Sequence, residues 1–329
     1  MSIREITPAI LAACCGALAL GWSVAAPAQS WPTRPLRLIV PFPAGGSADL
    51  LGRALARKMS DGLGQQVLIE NRAGAGGTIG IGAVAKSPAD GYTLGLGTVS
   101  TLGMAPVVRA DPPYDSLAAF APVSLVASAP FLLVVNGSVP AKSLAELVEL
   151  ARSRPGQLNF ASIGEGTLQH FSGESFKSLT GTAMVHVPYK GVAPALVDLL
   201  AGQVQIMFDI LASFQLQNIQ SGRLRALAVL GPARIAQLPA VPTTAEAGLR
   251  GFEVTAWFGA IAPRGTPAEI LARLNAEARK AVASAEMREA ILAQGFDPAA
   301  GSPQEFSELI RTDLEKWTRV VKLTGFKAE

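Results

Sequence analysis

VPFPAGGSADLLGRALARKM, residues 40–59, is the stretch whose reading decides the fold. It begins inside an apolar run, Leu36–Phe42, whose β-branched and aliphatic residues suit a buried strand. After Asp49, Leu51, Leu55 and Met59 recur on one face, with Arg53, Arg57 and Lys58 away from it, which is the spacing of an amphipathic helix. Between the two, Ala44-Gly45-Gly46-Ser47 lets the backbone turn tightly. That turn predicts helix N-terminal amides without intrahelical partners, facing outward where they attract anions. The pattern alone fits an ordinary strand-to-helix turn equally well.

Strand-like and helical runs alternate along the rest of the chain. Strands are predicted at Leu36–Phe42, Val67–Glu70, Tyr92–Gly97, Val123–Val126, Phe131–Val135, Asn159–Ser162, Val204–Phe208, Leu224–Val229 and Val254–Ala262. Such alternation predicts an α/β architecture with mainly parallel sheets. Helix starts are marked by Ser143…Glu146, Thr243…Glu246, Thr266…Glu269 and Ser302…Glu305, each with capping-box spacing. The last hundred residues hold one strand and about three helices. This suggests one domain from Gln29 to about Ala127 plus about Thr255 to the C-terminus, with a second inserted over about Ser128–Val254. Two crossings would form a hinge, with a cleft between the domains.

A second strand–loop–helix unit echoes the first: strand Asn159–Ser162, loop Ile163-Gly164-Glu165-Gly166-Thr167, and a helix over Leu168–Leu179 that buries Leu168, Phe176 and Leu179. Ligands of open α/β sheets sit at such carboxyl ends of strands. Two facing tips of this kind would form a pincer for a small diacid. His170, in the first turn of the second helix, could donate to a bound carboxylate or simply be exposed; His186 alternates with Val185 and Val187 and reads as structural. Asp49 favours its helix dipole without any ligand, and could also accept from a ligand amine or bridging waters. Asp209, at the end of a strand, could point into a cleft.

Composition narrows the classes. Of 329 residues, 49% are hydrophobic and 16% charged, as in a well-packed globular protein, and the net charge is +3 with Lys and Arg scattered. No basic stripe with interleaved aromatics appears, which argues against nucleic acid as a partner. Arg4, the apolar stretch Ala9–Ala26 and the triplet Ala26-Pro27-Ala28 read as a secretory signal peptide cleaved after Ala28. Leu11-Ala12-Ala13-Cys14 resembles a lipoprotein box, but it stands too close to Arg4 and Glu5 for a normal apolar region. Cys14 and Cys15 both lie in this segment, so the mature chain would have no disulfide and no cysteine metal site. Two histidines alone are poor material for zinc. No G-x-S-x-G elbow and no Walker A sequence occurs, and Gly80-Ile-Gly-Ala-Val-Ala85 does not follow a strand as a dinucleotide fingerprint requires. Binding is better supported than catalysis, with no cofactor.

The blocks WPTRPLRLIVPFPAGGSAD, VLIENRAGAGGTIG, SPADGYTLGLG, YDSLAAFAPVSLVASAPFLLVVN, GQLNFASIGEGTLQH, HVPYKG, GQVQIMFD, LPAVPTTAEAGL and APRGTPAEILARLN resemble, in order along the mature chain, the Bug receptors. These are the extracytoplasmic solute-binding proteins of the tripartite tricarboxylate transporter family. The resemblance implies a two-domain, hinge-bending periplasmic binding protein of type II-like architecture, an α/β fold with an interdomain ligand cleft and no catalysis, capturing small carboxylates. It implies a ligand site built from Phe42, Ala44, Gly45, Gly46 and Asp49 in the first loop and Ser162, Gly166, Thr167 and His170 in the second, with Lys190, Gly191 and Asp209 at further cleft positions. A monomeric receptor handing its ligand to transporter membrane subunits is implied, or one signalling to a membrane sensor. Glu165 stands where the family commonly has a small or neutral polar residue, and facing the cleft it would repel a dianion.

Overall fold

The computed structural model describes residues 31–109 and 111–324. The signal segment, its cleavage site after Ala28, and Cys14 and Cys15 lie outside the described residues.

The chain first builds β1 (Leu36–Val40), α1 (Ser47–Leu63), β2 (Val67–Asn71), α2 (Thr78–Ala85) and β3 (Thr93–Thr98). A wide helical turn over Val99–Met104 and a short α3 (Ala105–Val108) lead to β4 (Phe120–Pro130). There follow β5 (Leu132–Asn136), α4 (Leu144–Ser153), β6 (Asn159–Ser162), α5 (Leu168–Thr180), β7 (Val185–Pro188), α6 (Val192–Ala201), β8 (Ile206–Asp209), α7 (Ser213–Gln220) and β9 (Leu224–Val229). The chain closes with β10 (Thr255–Pro263), α8 (Ala268–Ala283), α9 (Ala285–Ala293), β11 (Asp297–Pro298) and α10 (Pro303–Thr324).

The strands form two sheets, in the orders β11-β4-β10-β3-β1-β2 and β7-β6-β8-β5-β9. Both are mixed rather than mainly parallel. In the first, β1 runs parallel to β2 and β3 while β10 is antiparallel to β3 and β4; in the second, β6 runs parallel to β7 and β8 while β5 is antiparallel to β8 and β9. The antiparallel pairs arise where the chain changes sheet. It leaves the first after Pro130 and returns at Thr255. These two crossings lie side by side: the Phe131 amide donates to Val254 O (2.9 Å), the Leu230 amide to Phe131 O (2.7 Å), and the Val254 amide to Leu230 O (2.7 Å).

The amphipathic stripe of α1 does what its spacing predicts: Leu51, Leu55 and Met59 are fully buried. In α5 the buried stripe is Leu168, Phe171, Ser172, Ser175 and Phe176, whereas Leu179, expected inside, is 52% exposed. Thr180 turns inward there instead, its hydroxyl donating to Phe176 O (2.6 Å) and meeting Thr182. Of the four capping boxes, Ser143/Glu146 and Ser302/Glu305 open helices as expected, each serine oxygen accepting from the glutamate amide. Thr243 and Glu246 make the same reciprocal bonds but close only a turn. Thr266 donates its hydroxyl to Pro263 O instead, so α8 starts without a side-chain cap.

Close approach between α5 and β6 requires glycine at position 173, where a Cβ would lie 2.1 Å from the Phe160 ring. We therefore expect Gly173→Ala to destabilise the protein by about 1–3 kcal/mol through overpacking. Gly82→Ala in α2, whose Cβ would meet only Tyr114 at 3.9 Å, should stabilise it by up to about 1 kcal/mol. Calorimetric melting of the two variants should therefore move in opposite directions.

Candidate functional site

A cavity of about 200 Å³ lies where the carboxyl ends of strands from both sheets meet. Its wall combines apolar and aromatic side chains, among them Phe131, Ile163, Trp257, Phe258 and Phe296, with the polar groups of Ser47, Thr98, Ser100, Gln169, Lys190 and Asp209. The Trp257 indole N–H donates to Asp313 Oδ2 (2.6 Å), so its polar edge is already partnered.

Three helices begin at this wall. Gly46, Ser47 and Ala48 open α1, Leu168 and Gln169 open α5, and Gly191, Val192 and Ala193 open α6, and all of these line the cavity. None of the three helices has a side-chain cap. A helix start leaves its first amides without intrahelical partners and carries a partial positive charge, so convergence of three such starts favours an anion. The ends differ in what already occupies them. At α5, the Leu168 amide donates to Ser100 Oγ (3.0 Å), a residue of the other sheet's side of the cavity. At α1 the first amide-to-carbonyl bond runs from Leu50 back to Gly46, and Ser47 Oγ turns away to donate to Gln294 Oε1 (3.1 Å). Gly46, Ser47 and Ala48, whose amides precede that bond, line the cavity beside Phe42 and Ala44.

The α1 turn is held by Asp49. Its Oδ2 accepts from the Gly45 amide (3.0 Å) and from Arg53 Nε (2.9 Å), and Oδ1 accepts from Asn71 Nδ2 (2.9 Å), which also donates to Phe42 O (3.1 Å). Burial pushes the Asp49 carboxyl up, but the hydrogen bonds from Arg53, Gly45 and Asn71 and the Arg53 charge outweigh it and hold it below the usual carboxylate range. Asp49 is buried, does not line the cavity, and its carboxylate is engaged in shaping the loop. Gly45 adopts φ +87°, a left-handed conformation that a β-branched residue resists. Gly46 has an ordinary φ of −83°, and a Cβ placed there would meet only Pro43 O, at 3.9 Å, so the position tolerates substitution locally.

The second loop is arranged differently from the first. Ser162, Gly166, Thr167 and His170 do not line the cavity, which takes only Ile163, Leu168 and Gln169 from this unit. The Gly164 amide donates to Ser162 Oγ (3.1 Å), the Gly166 amide to His170 Nδ1 (3.3 Å), and Thr167 Oγ1 to Gly164 O (2.6 Å). The Gly164 and Gly166 amides are thus bonded within the protein. His170 stacks on His186, with ring centroids 3.7 Å apart and planes 7° from parallel, and His186 stacks on Phe160 at 5.0 Å. Burial drives both histidines down to about 4, helped by the nearby Lys177 charge, with His170 also acting on His186. Accepting at Nδ1 places the His170 proton on Nε2, so the ring is neutral.

Phe42, Ala44, Gly46, Lys190, Gly191 and Asp209 do line the cavity, and Gly45 sits in the turn just outside it. Lys190 is exposed at the rim. Asp209 is buried, accepting from Gln169 Nε2 (3.2 Å) and Gln215 Nε2 (3.1 Å); burial pushes it up to about 6 against those bonds and the Ile210 amide. Glu165 is exposed and absent from the wall, whose acidic residue is Asp209. Ser100, Gln169, Phe131, Trp257, Phe258 and Phe296 are site residues that sequence reasoning misses. Gln169 alone carries a signal, its place in the first turn of a helix after a glycine loop; the others come from strands and turns far apart in sequence. Among the described residues, no group of three or more His, Cys, Asp or Glu could hold a metal ion, and no helix is long and apolar enough to cross a membrane.

Residues 51–326 match the model of the tripartite tricarboxylate transporter family receptor. Protein BugT of Bordetella pertussis is 42% identical over 307 residues, covering 92% of this chain and 94% of that protein. The structure of R. palustris Rpa4515 with adipate is 38% identical with a TM-score of 0.84, covering 90% of this chain and 99% of that one. MatC of Rhodopseudomonas palustris with bound malate is 33% identical with a TM-score of 0.83, covering 88% and 100%.

The histidine pair makes stability depend on pH. Between about 6.5, the ordinary histidine value, and the folded value of about 4, the unfolded chain binds protons that the native state does not. This contribution is complete above pH 6.5 and falls away as pH drops toward 4; Asp209, shifted up, acts with the opposite sign between 3.8 and 6. Urea unfolding at a series of pH values should show stability falling on acidification through this window, with a shallower slope in His186→Gln.

Proposed function

The chain belongs to the receptor family of the tripartite tricarboxylate transporters, and from that premise we propose that it is a periplasmic receptor binding a small carboxylate in the cavity described above. The observation that carries this reading is the convergence of three helix starts without N-cap side-chain bonds on one cavity, to which Gly46–Ala48 of α1 would present amides, the first amide of α5 being taken by Ser100. Charge would be recognised without an arginine in the wall. Amides held at a helix start would be in place before the ligand arrives, so little reorganisation would oppose binding. The aromatic side chains Phe131, Trp257, Phe258 and Phe296 would take the ligand's carbon skeleton. The adipate and malate of the related structures are carboxylates of this size class. The two chain crossings at Phe131 and at Leu230–Val254 would serve as the hinge between a domain carrying the first sheet and one carrying the second. The liganded receptor would then present its captured carboxylate to membrane subunits of a transporter; it would carry out no reaction itself.

The test is a thermal-shift screen over small carboxylates with adipate as the first probe. At a thousandfold excess over Kd a ligand stabilises the folded state by roughly 4 kcal/mol, a shift of several degrees. Gly46→Val should fold, because its φ is ordinary, yet lose most of that shift by blocking approach to the α1 amides. Gly45→Val is the wrong variant for this purpose, since its left-handed φ would strain the loop itself. A shift produced only by sugars or polyamines, and retained in Gly46→Val, would contradict the reading.

A further inference from the structure

The loop of residues 163–167 and the helix start that follows it feed Ile163, Leu168 and Gln169 into the cavity wall, while its Gly164 and Gly166 amides and its Thr167 hydroxyl bond within the protein. Behind it stands a stacked pair of histidines, and Thr167 Oγ1 also donates to Gly164 O. Two of its glycines take left-handed φ, Gly164 at +130° and Gly166 at +68°. Each of those glycine amides has one acceptor that leads to a histidine. The Gly166 amide donates directly to His170 Nδ1 (3.3 Å). The Gly164 amide donates to Ser162 Oγ (3.1 Å), which in turn lies 2.6 Å from His186 Nε2. The His170 and His186 rings stack face to face at 3.7 Å. The loop's opposite side touches the other sheet's elements, where a Cβ on Gly76 would come within 2.9 Å of Glu165 O, so little room remains for a second loop conformation.

The bond from Gly166 requires a neutral His170. A proton added to His170 Nδ1 would set two donors against each other and break the bond to Gly166. Two stacked imidazolium rings at this distance would also repel. The charged neighbours offer little compensation. From α5, Glu174 Oε1 lies 4.0 Å from His170 Nε2, but both Glu174 oxygens accept from Lys177 Nζ at 2.9 Å, and Lys177 itself sits 6.0 Å above the Phe160 ring. From β6 the pair meets the uncharged Phe160 and Ser162.

We propose that His170 and His186 are positioning residues, a neutral stacked pair that holds the 163–167 loop and its part of the cavity wall in the binding shape, so that protonating the pair weakens ligand binding. The second half rests on the receptor reading above; the first half does not.

The test has two arms on the full mature chain. In the first, without ligand, nuclear magnetic resonance follows the histidine ring protons and the Gly164 and Gly166 amides from pH 7.5 downward. The amides should titrate with the ring midpoints, well below the ordinary histidine range. In His170→Asn, whose side-chain oxygen can replace Nδ1 as acceptor, the Gly166 amide should stay protected and stop titrating. In His170→Leu its exchange should speed up by roughly tenfold or more at pH 7.5, while circular dichroism shows an unchanged fold. In the second arm, calorimetry with adipate should give a wild-type affinity that falls on acidification by up to about tenfold per pH unit per proton. His170→Asn should lack the His170 part of that fall, adipate's own titration being common to both proteins, and His170→Leu should bind roughly tenfold more weakly throughout. Amides that ignore the histidine titration, or a His170→Leu protein with wild-type loop exchange, would overturn the positioning role. Identical pH profiles for wild type and His170→Asn would overturn the coupling to binding. Failure of adipate to bind any variant would count against the receptor reading, and the loop amides would still decide the pair.

Discussion

The buried carboxylate of Asp49 is the interaction on which the site depends. One side chain accepts from the amide of the left-handed Gly45, from Arg53 one helical turn on, and from Asn71 at the end of β2, which in turn holds Phe42 O. Loop, helix and neighbouring strand are thereby fixed as one piece, and α1 begins at the cavity wall. Because Asp49 sits in the first turn, its charge also complements the helix dipole, so the same group that shapes the turn stabilises the helix that follows. Without this anchor a glycine-rich turn would have too much freedom to hold amides at a fixed place.

The two strand–loop–helix units illustrate how one motif takes two roles. In the first, the glycine turn opens onto the cavity and its acceptor, Asp49, lies behind it. In the second, Gly164 and Gly166 turn their amides onto Ser162 and His170, and the unit meets the cavity through the side chains of Ile163, Leu168 and Gln169. The two units therefore meet the cavity through different groups. Its anion-favouring character comes from the starts of α1, α5 and α6 together, and a single acidic group, Asp209, held by Gln169 and Gln215, balances it from within the wall.

Local chemistry makes much of the fold legible. Asn159–Ser162 and Leu224–Val229 are strands over the residues that their composition marks. The first strand stops at Val40 rather than Phe42, because Pro41 has no amide to continue the ladder. Capping spacing is a good guide where the serine or threonine oxygen has no better partner, and it fails at Thr266, whose hydroxyl reaches Pro263 O. Sheet polarity is not legible, since it depends on where the chain crosses between sheets. The site is half legible: Phe42, Ala44, Gly46, Lys190, Gly191 and Asp209 stand in runs whose character survives in sequence. Trp257, Phe258, Phe296 and Ser100 join them only through tertiary folding. The place of His170 is hidden for the same reason: its helical position says nothing of the His186 ring that β7 brings against it.

Binding of a carboxylate at the start of α1 is tested most directly by a crystal structure of the protein grown with adipate. A carboxylate oxygen is expected within hydrogen-bonding distance of the Gly46–Ala48 amides, with Gly166 still bonded to His170. A carboxylate seated instead on the Gly164–Thr167 amides, with the Gly166–His170 bond broken, would contradict that placement.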